Sequence, residues 1–387
     1  MSSLSVLTNR PGLRWLVPAG AAVAVLGGGL AIGAITAAAD PSLPARSAAE
    51  LLTDLQNAKV DGLSGTVVAR ADLGLPALPI AGGAGSSDLT SLVSGTHTLR
   101  VWYSGPDQAR VALLGTLGET DVITNGSDVW IWSSKENKAT HATLPAHDQS
   151  APNPIPSSSG FGMTPDALAK AALAMLEPST EVTTDGSASV AGRDAYELKL
   201  APKDPASLIG SIKLDIDAAE HVPLRVVVEA RGSDSPAIDV GFTQVSFARP
   251  DPAEFTFNPP PGATVEEGMK DAPPSTSDTP DTPGTQTTPK PEELRKNLAV
   301  IGTGWTSVIV ARMPKEATEA PPQGDAGAIK GIIDSLPTVS GSWGSGHLVT
   351  SRLFSALITD DGRVLIGAVT GDRLQQAAAD PKAQLTS

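Results

Sequence analysis

From Trp15 to Ala39 the chain runs for 25 residues without one charged side chain. A helix needs about 20 apolar residues to cross a hydrocarbon core ~30 Å thick, so this run is long enough to span a membrane. Arg10 and Arg14 precede it and Asp40 follows it. The positive-inside rule then places residues 1–14 in the cytoplasm and everything beyond the segment outside. Ala37-Ala38-Ala39 also satisfies a small-residue cleavage pattern, which leaves a cleaved signal peptide as the rival reading. The segment is longer than the roughly 7 to 15 residues of a usual signal core, which favours an anchor. Gly29 and Gly33 have the spacing of a close helix contact, although Gly and Ala are ordinary in such a span.

A chain of 387 residues has room for two or three domains. Its net charge of -14 disfavours nucleic acid and anionic headgroups, which attract Lys and Arg instead. Cysteine is absent. That removes disulfides, thiol nucleophiles, cysteine-bound zinc and a cysteine for lipid attachment, so any attachment to a membrane must be the polypeptide itself.

Ser47-Ala48-Ala49-Glu50 has capping-box spacing and starts a helix. Leu51, Leu52, Leu55 and Ala58 then form one apolar stripe that needs a sheet to cover it. Short β-rich runs follow at 65–71, 96–104, 108–114, 120–124, 128–133 and 138–143, a spacing that predicts antiparallel hairpins. In the second run His97, Leu99, Val101 and Tyr103 face one way while Thr98, Arg100 and Trp102 face the other. Asn125-Gly126 suits a tight turn because both residues tolerate positive φ. The Pro- and Gly-rich, apolar stretch from Leu73 to Leu92 cannot be a regular element. It is either a loop packed over the sheet or a lid over an apolar cavity.

After a Pro and Ser stretch, Thr164-Pro165-Asp166 predicts a helix running to Met175. Strands resume at 181–184, 194–201, 211–217, 223–230 and 237–247. Between Asp271 and Pro291 there are six Pro, six Thr and three Asp with almost no large apolar residue. Such a segment cannot bury enough surface to offset its ordering entropy. Beyond it a small α+β module is expected, with a strand at Val308–Ala311, a helix at Ala326–Leu336 and a hairpin turning at Asp360-Asp361-Gly362. The expected organisation is a transmembrane helix at 15–39, a β domain at 45–265, a linker at 266–295, the module at 296–375 and a tail at 376–387.

The five His, at 97, 141, 147, 221 and 347, show no metal-binding spacing. No nucleophile elbow, phosphate loop or dinucleotide fingerprint is present. No enzyme activity, cofactor or metal is expected. Trp130 and Trp132 share one face of their strand while Val129 and Ile131 share the other, so that strand carries apolar mass on both sides. One side could meet helices and the other a ligand, or both could be packed layers.

Several phrases resemble the LolA-like family and the closely similar N-terminal domain of the RseB/MucB regulators. They are Gly65-Thr66-Val67-Val68, Leu99-Arg100-Val101-Trp102-Tyr103, Asp128-Val129-Trp130-Ile131-Trp132, Gly192 to Leu198, Leu214 to Asp217, Pro223 to Val226 and Phe255 to Gly262. They cover roughly residues 45–265. The resemblance implies a mainly β (α+β) fold, a curved incomplete antiparallel β-barrel with helices on its concave side, whose cavity takes acyl chains. Gly341-Ser342-Trp343-Gly344 and Thr359 to Arg363 resemble a pattern in actinobacterial LolA-like proteins. A LolA carrier is a soluble shuttle, whereas this chain reads as tethered and adds a linker and module.

The expectation is therefore a membrane-anchored extracytoplasmic protein that holds a lipid, or the acyl moiety of a lipoprotein, against Leu99, Val101, Tyr103, Val111, Leu113, Trp130 and Trp132. The alternative is an RseB-like sensor of envelope state that contacts a membrane protein.

Overall fold

The computed structural model describes residues 43–75, 87, 89–143, 178–267, 298–312 and 333–383. The apolar segment at 15–39, the helix expected from Thr164 and most of the helix expected at Ala326–Leu336 lie outside them, as does most of the linker. Among the described residues no helix is long and apolar enough to cross a membrane.

Helix α1 (Ala48–Asn57) begins at the capping box: Glu50 N–H donates to Ser47 Oγ at 3.3 Å and Ser47 N–H donates to Glu50 Oε2 at 2.7 Å. A first meander follows through β1 (Leu63–Asp72), β2 (Ser94–Tyr103), β3 (Gln108–Gly115), β4 (Gly118–Asn125), β5 (Asp128–Ser133) and β6 (Lys138–Thr143). A second comprises β7 (Thr180–Val190), β8 (Arg193–Pro202), β9 (Ile209–Asp217), β10 (Pro223–Ala230) and β11 (Pro236–Ser246). Pairing of β1 with β11 fuses the two meanders into one sheet. A short β12 (Thr264–Glu267) adds to β6 in parallel, and the order is β12-β6-β5-β4-β3-β2-β1-β11-β10-β9-β8-β7. The sheet is open and does not close on itself, as an incomplete barrel requires. Among the described residues one α-helix, α1, lies on it, where several were expected.

The β4–β5 turn differs in detail from expectation. Asn125 pairs with Asp128, so the loop is Gly126-Ser127. Only Gly126, at φ +64°, is left-handed, as in hairpin loops with Gly at the first central position.

A second sheet holds β13 (Leu298–Ile301), β14 (Val308–Arg312), β15 (Thr338–Gly341), β16 (Gly344–Thr350), β17 (Ser355–Thr359) and β18 (Arg363–Gly367), in the order β13-β14-β18-β17-β16-β15. Helix α2 (Gly371–Ala378) packs on it through Leu374, Ala377 and Ala378. These residues and Ala383 belong to the core of the second sheet. The segment from 376 expected as a tail is thus part of the module, because α2 turns Leu374, Ala377 and Ala378 onto the second sheet and Ala383 joins them.

The two sheets are in contact. Ser207 forms an antiparallel bridge with Val369, and Leu208 N–H donates to Ala368 O at 2.9 Å. Trp305 Nε1 donates to Thr180 Oγ1 at 2.7 Å, and Leu353 is buried among residues of the large sheet.

Candidate functional site

Cross-strand partners share a face of a sheet, so the pairing register decides which of the expected site residues can meet. Leu99 pairs with Val67 and Leu113, and Val101 pairs with Val111. Tyr103 shares their side of β2. Val67 pairs in turn with Phe242, Val226 with Val240 and Leu214, and Leu198 with Leu214. This is the face on which α1 rests, through Leu51 and Leu52 against Tyr196, Leu198 and Ile216. Five of the seven expected residues, Leu99, Val101, Tyr103, Val111 and Leu113, stand here together.

Trp130 and Trp132 do not join them. Trp130 pairs with Ile123 and Trp132 with Asp121, and those residues pair with Arg110 and Ala112, opposite Trp102 and Arg100. All of these lie on the other face. There the turn Pro252–Phe255 and Phe257 strap across the strands. Trp130 stacks on His141 with centroids 4.3 Å apart, and Phe257 tilts against Trp130 and Trp132 at 5.3 and 5.8 Å. Arg110 lies over the Trp102 ring and pairs with Asp121 at 2.8 Å and with Glu254 at 3.4 Å. Burial raises the Asp121 carboxyl against the pull of Arg110. The tryptophans therefore belong to a filled aromatic layer.

The α1 face changes character along one row of partners. Val101 is buried, Val111 and Val122 are half-buried, and Ile131 is 40% exposed. Val129, two residues from Ile131 on the same face, is also half-buried. The described elements that cover this face are α1 over β8 and β9, Leu92 beside β1 and β2, and Leu353 with Phe354 over β9 to β11. Towards β4 and β5 the apolar row emerges from this cover. Val122, Val129 and Ile131 were not among the expected residues; the alternation within β5 sets Val129 and Ile131 opposite the two tryptophans, and Val122 is the cross-strand partner of Ile131.

Among the described residues no group of three or more His, Asp or Glu could hold a metal. The charged side chains of β9 and β10 lie on the face away from α1. There Asp217 accepts from Arg193 and from the amides of Ala219 and Glu220. Burial opposes its ionisation, but these donors outweigh that and hold its carboxyl below the usual range. Asp215 on the same face is 4% exposed, and burial pushes its carboxyl up to about 6.

No family model matches the chain, and no curated protein matches it. Solved structures do. The MucA/MucB complex structure of Pseudomonas aeruginosa matches with a TM-score of 0.42 at 16% identity, covering 86% of this chain and 96% of that one. A LolA superfamily protein of Nitrosomonas europaea matches with a TM-score of 0.22 at 11% identity over 55% of this chain and 99% of that one. The Mycobacterium tuberculosis lipoprotein LppX matches with a TM-score of 0.25 at 11% identity over 49% of this chain and 92% of that one.

Proposed function

We propose that the chain is a binding protein of the cell envelope that holds the acyl part of a lipid or lipoprotein against the α1 face of its large sheet, outside a membrane in which residues 15–39 anchor it. The row Val101, Val111, Val122, Ile131 carries this reading, because its four side chains are apolar and pass from burial to 40% exposure before Thr140 of β6 ends it. An acyl chain laid along such a row gains about 0.8 kcal/mol per buried methylene. Ten methylenes would supply roughly 8 kcal/mol, from which the costs of association, about 4 kcal/mol or more, must be subtracted. Neither a polar ligand nor nucleic acid would gain from this surface.

The test is native mass spectrometry of the full-length protein extracted from its own membranes, with the bound lipid identified. An acyl-bearing adduct is expected on the wild type and should be lost on Ile131→Asp with the melting temperature unchanged. Absence of any adduct, together with rejection of added acyl lipid, would sink the reading. A second reading, a sensor that passes envelope state to a membrane partner, is favoured by one observation: a second sheet is docked beside the same face.

A further inference from the structure

The turn between β16 and β17 reaches from the small sheet onto the large one. Ser351 shapes it, since Leu353 and Phe354 N–H donate to Ser351 Oγ at 3.3 and 3.0 Å while Ser351 Oγ donates to Phe354 O at 2.8 Å. Held this way, Leu353 and Phe354 enter an apolar cluster that includes Ile212, Val226 and Val228. These residues lie on the α1 face, because Val228 pairs with Ile212 and Val226 with Val240. Ile238 touches both this cluster and the one that contains Leu99, Val101 and Leu113. The turn therefore occupies one end of the surface whose other end carries the row that runs from buried Val101 to Ile131, 40% exposed.

Arg352 fixes the turn in place. Its Nη1 donates to Asp72 O at 3.0 Å, Asp72 Oδ2 at 2.6 Å and Pro236 O at 3.4 Å. Its Nη2 donates to Ser233 Oγ at 2.5 Å and to Ser235 O and Oγ at 2.6 and 3.0 Å. Arg352 N–H also donates to Leu73 O at 2.8 Å. Gly74, at φ +62°, leaves the space for this approach, for a Cβ there would stand 3.1 Å from Arg352 Cγ. One residue thus ties the small sheet to the end of β1, to Leu73 after it and to the β10–β11 loop. The acceptors lie at the ends of β1 and β11 and in the β10–β11 loop, where water can also reach them, so the attachment is specific in geometry yet exchangeable.

We propose that the Arg352–Phe354 turn and an acyl ligand are alternative occupants of one apolar surface, so that ligand binding releases the small sheet from the large one. This rests on the acyl-binding reading and assigns its regulation: the docked turn weakens binding, and a bound chain exposes the turn. By linkage the two effects are equal in free energy.

The chain has no cysteine, which permits a clean lock. Ser207 and Val369 are bridge partners flanked by the Leu208-to-Ala368 hydrogen bond, which sets their Cα atoms within disulfide reach. In the full chain carrying Ser207→Cys and Val369→Cys, held in amphipol, binding of cis-parinaric acid is followed by fluorescence against an empty-amphipol blank. The oxidised protein should bind about tenfold more weakly than the same protein in dithiothreitol, which serves as its own folding control. Arg352→Ala should bind about tenfold more tightly than wild type. Equal affinity in the oxidised, reduced and Arg352→Ala proteins would overturn the competition while leaving acyl binding intact. No binding by any of them, including the one with the turn freed, would overturn acyl binding and the competition with it.

Discussion

Asp215 stands on the face of β9 away from Ile212 and Ile216, between Glu197 and Arg225 on the neighbouring strands. Arg225 is committed elsewhere, to both carboxylate oxygens of Asp239 at 2.8 and 3.0 Å, and Asp215 Oδ1 has no hydrogen-bond partner. Burial is the main cause that lifts its carboxyl to about 6, with the pull of Arg225 only partly offsetting it. A folded-state value above the unfolded one means that the native protein holds this proton more tightly. The stability it contributes is fully present below about pH 4 and is lost as pH rises through about 6. Asp215→Asn should therefore raise stability by ~2 kcal/mol at about pH 7.5 and by nothing at about pH 4, read from denaturant melts at the two pH values.

Arg363 is a different kind of buried charge. It is fully buried, chelated by Asp361 at 2.8 and 2.9 Å, and donates to Ala378 O, Ala383 O and Trp343 O. It gathers α2, the chain after it and the β15–β16 turn onto β18. Arg363→Met would leave the Ala378, Ala383 and Trp343 carbonyls without this donor and Asp361 with Thr359 as its remaining side-chain donor, at a cost of about 3 to 5 kcal/mol. Hydrogen exchange should report this as lost protection in β16 to β18 and α2, with β1 to β6 unaffected. Neither residue announces itself in the sequence, where Asp215 is one carboxylate among many and Arg363 reads as the end of a hairpin turn.

At the scale of elements, β5 illustrates both what alternation reveals and what it leaves out. A period of two separates Trp130 and Trp132 from Val129 and Ile131 without any structure. Which pair meets the α1 face follows only from register with β4, because a strand with two apolar faces fits either way. Trp132→Ala should cost about 3 to 5 kcal/mol through loss of the layer with Phe257, yet leave acyl binding unchanged when assayed below its melting temperature. Ile131→Asp should do the reverse. If Trp132→Ala abolishes binding in a folded protein, the site is on the strap face after all.

Most hairpins of both meanders were legible because strands such as β2 and β5 alternate and turns such as that at Gly126 carry Gly, whereas β7 runs to Val190, well past the strand expected at 181–184, because its exposed middle has no alternation. By contrast, β12 consists of Thr264-Val265-Glu266-Glu267 and is exposed throughout. Its pairing comes from the edge of β6 and from contacts such as Lys138 to Glu266 at 2.9 Å, not from any pattern of its own.

On the scale of the whole molecule, the two sheets share an apolar contact as well as polar ties. Leu353 is 7% exposed and lies among Ile212, Val228 and Ala237 of the large sheet. Calorimetry of the full chain should accordingly show the two sheets melting in one transition. Leu353→Ala removes about 2 to 4 kcal/mol of this contact and should split the transition into two, the smaller belonging to β13–β18 and α2. Two transitions in the wild type would mean that the contact does not couple the sheets.

Residue order alone carries the alternation of the strands, the capping box at Ser47 and Glu50, the turns at Gly126 and Gly362, and the apolar run at 15–39, because each depends on neighbours within a few positions. It also carries the family resemblance, which consists of such local phrases. The tertiary structure decided which face of each strand meets α1, that Arg352 bridges to Asp72, Ser233 and Ser235, and that residues 376–383 enter a core. These depend on pairings and contacts between residues far apart in the chain. Their energies come from burial and register, quantities that no short stretch of sequence contains.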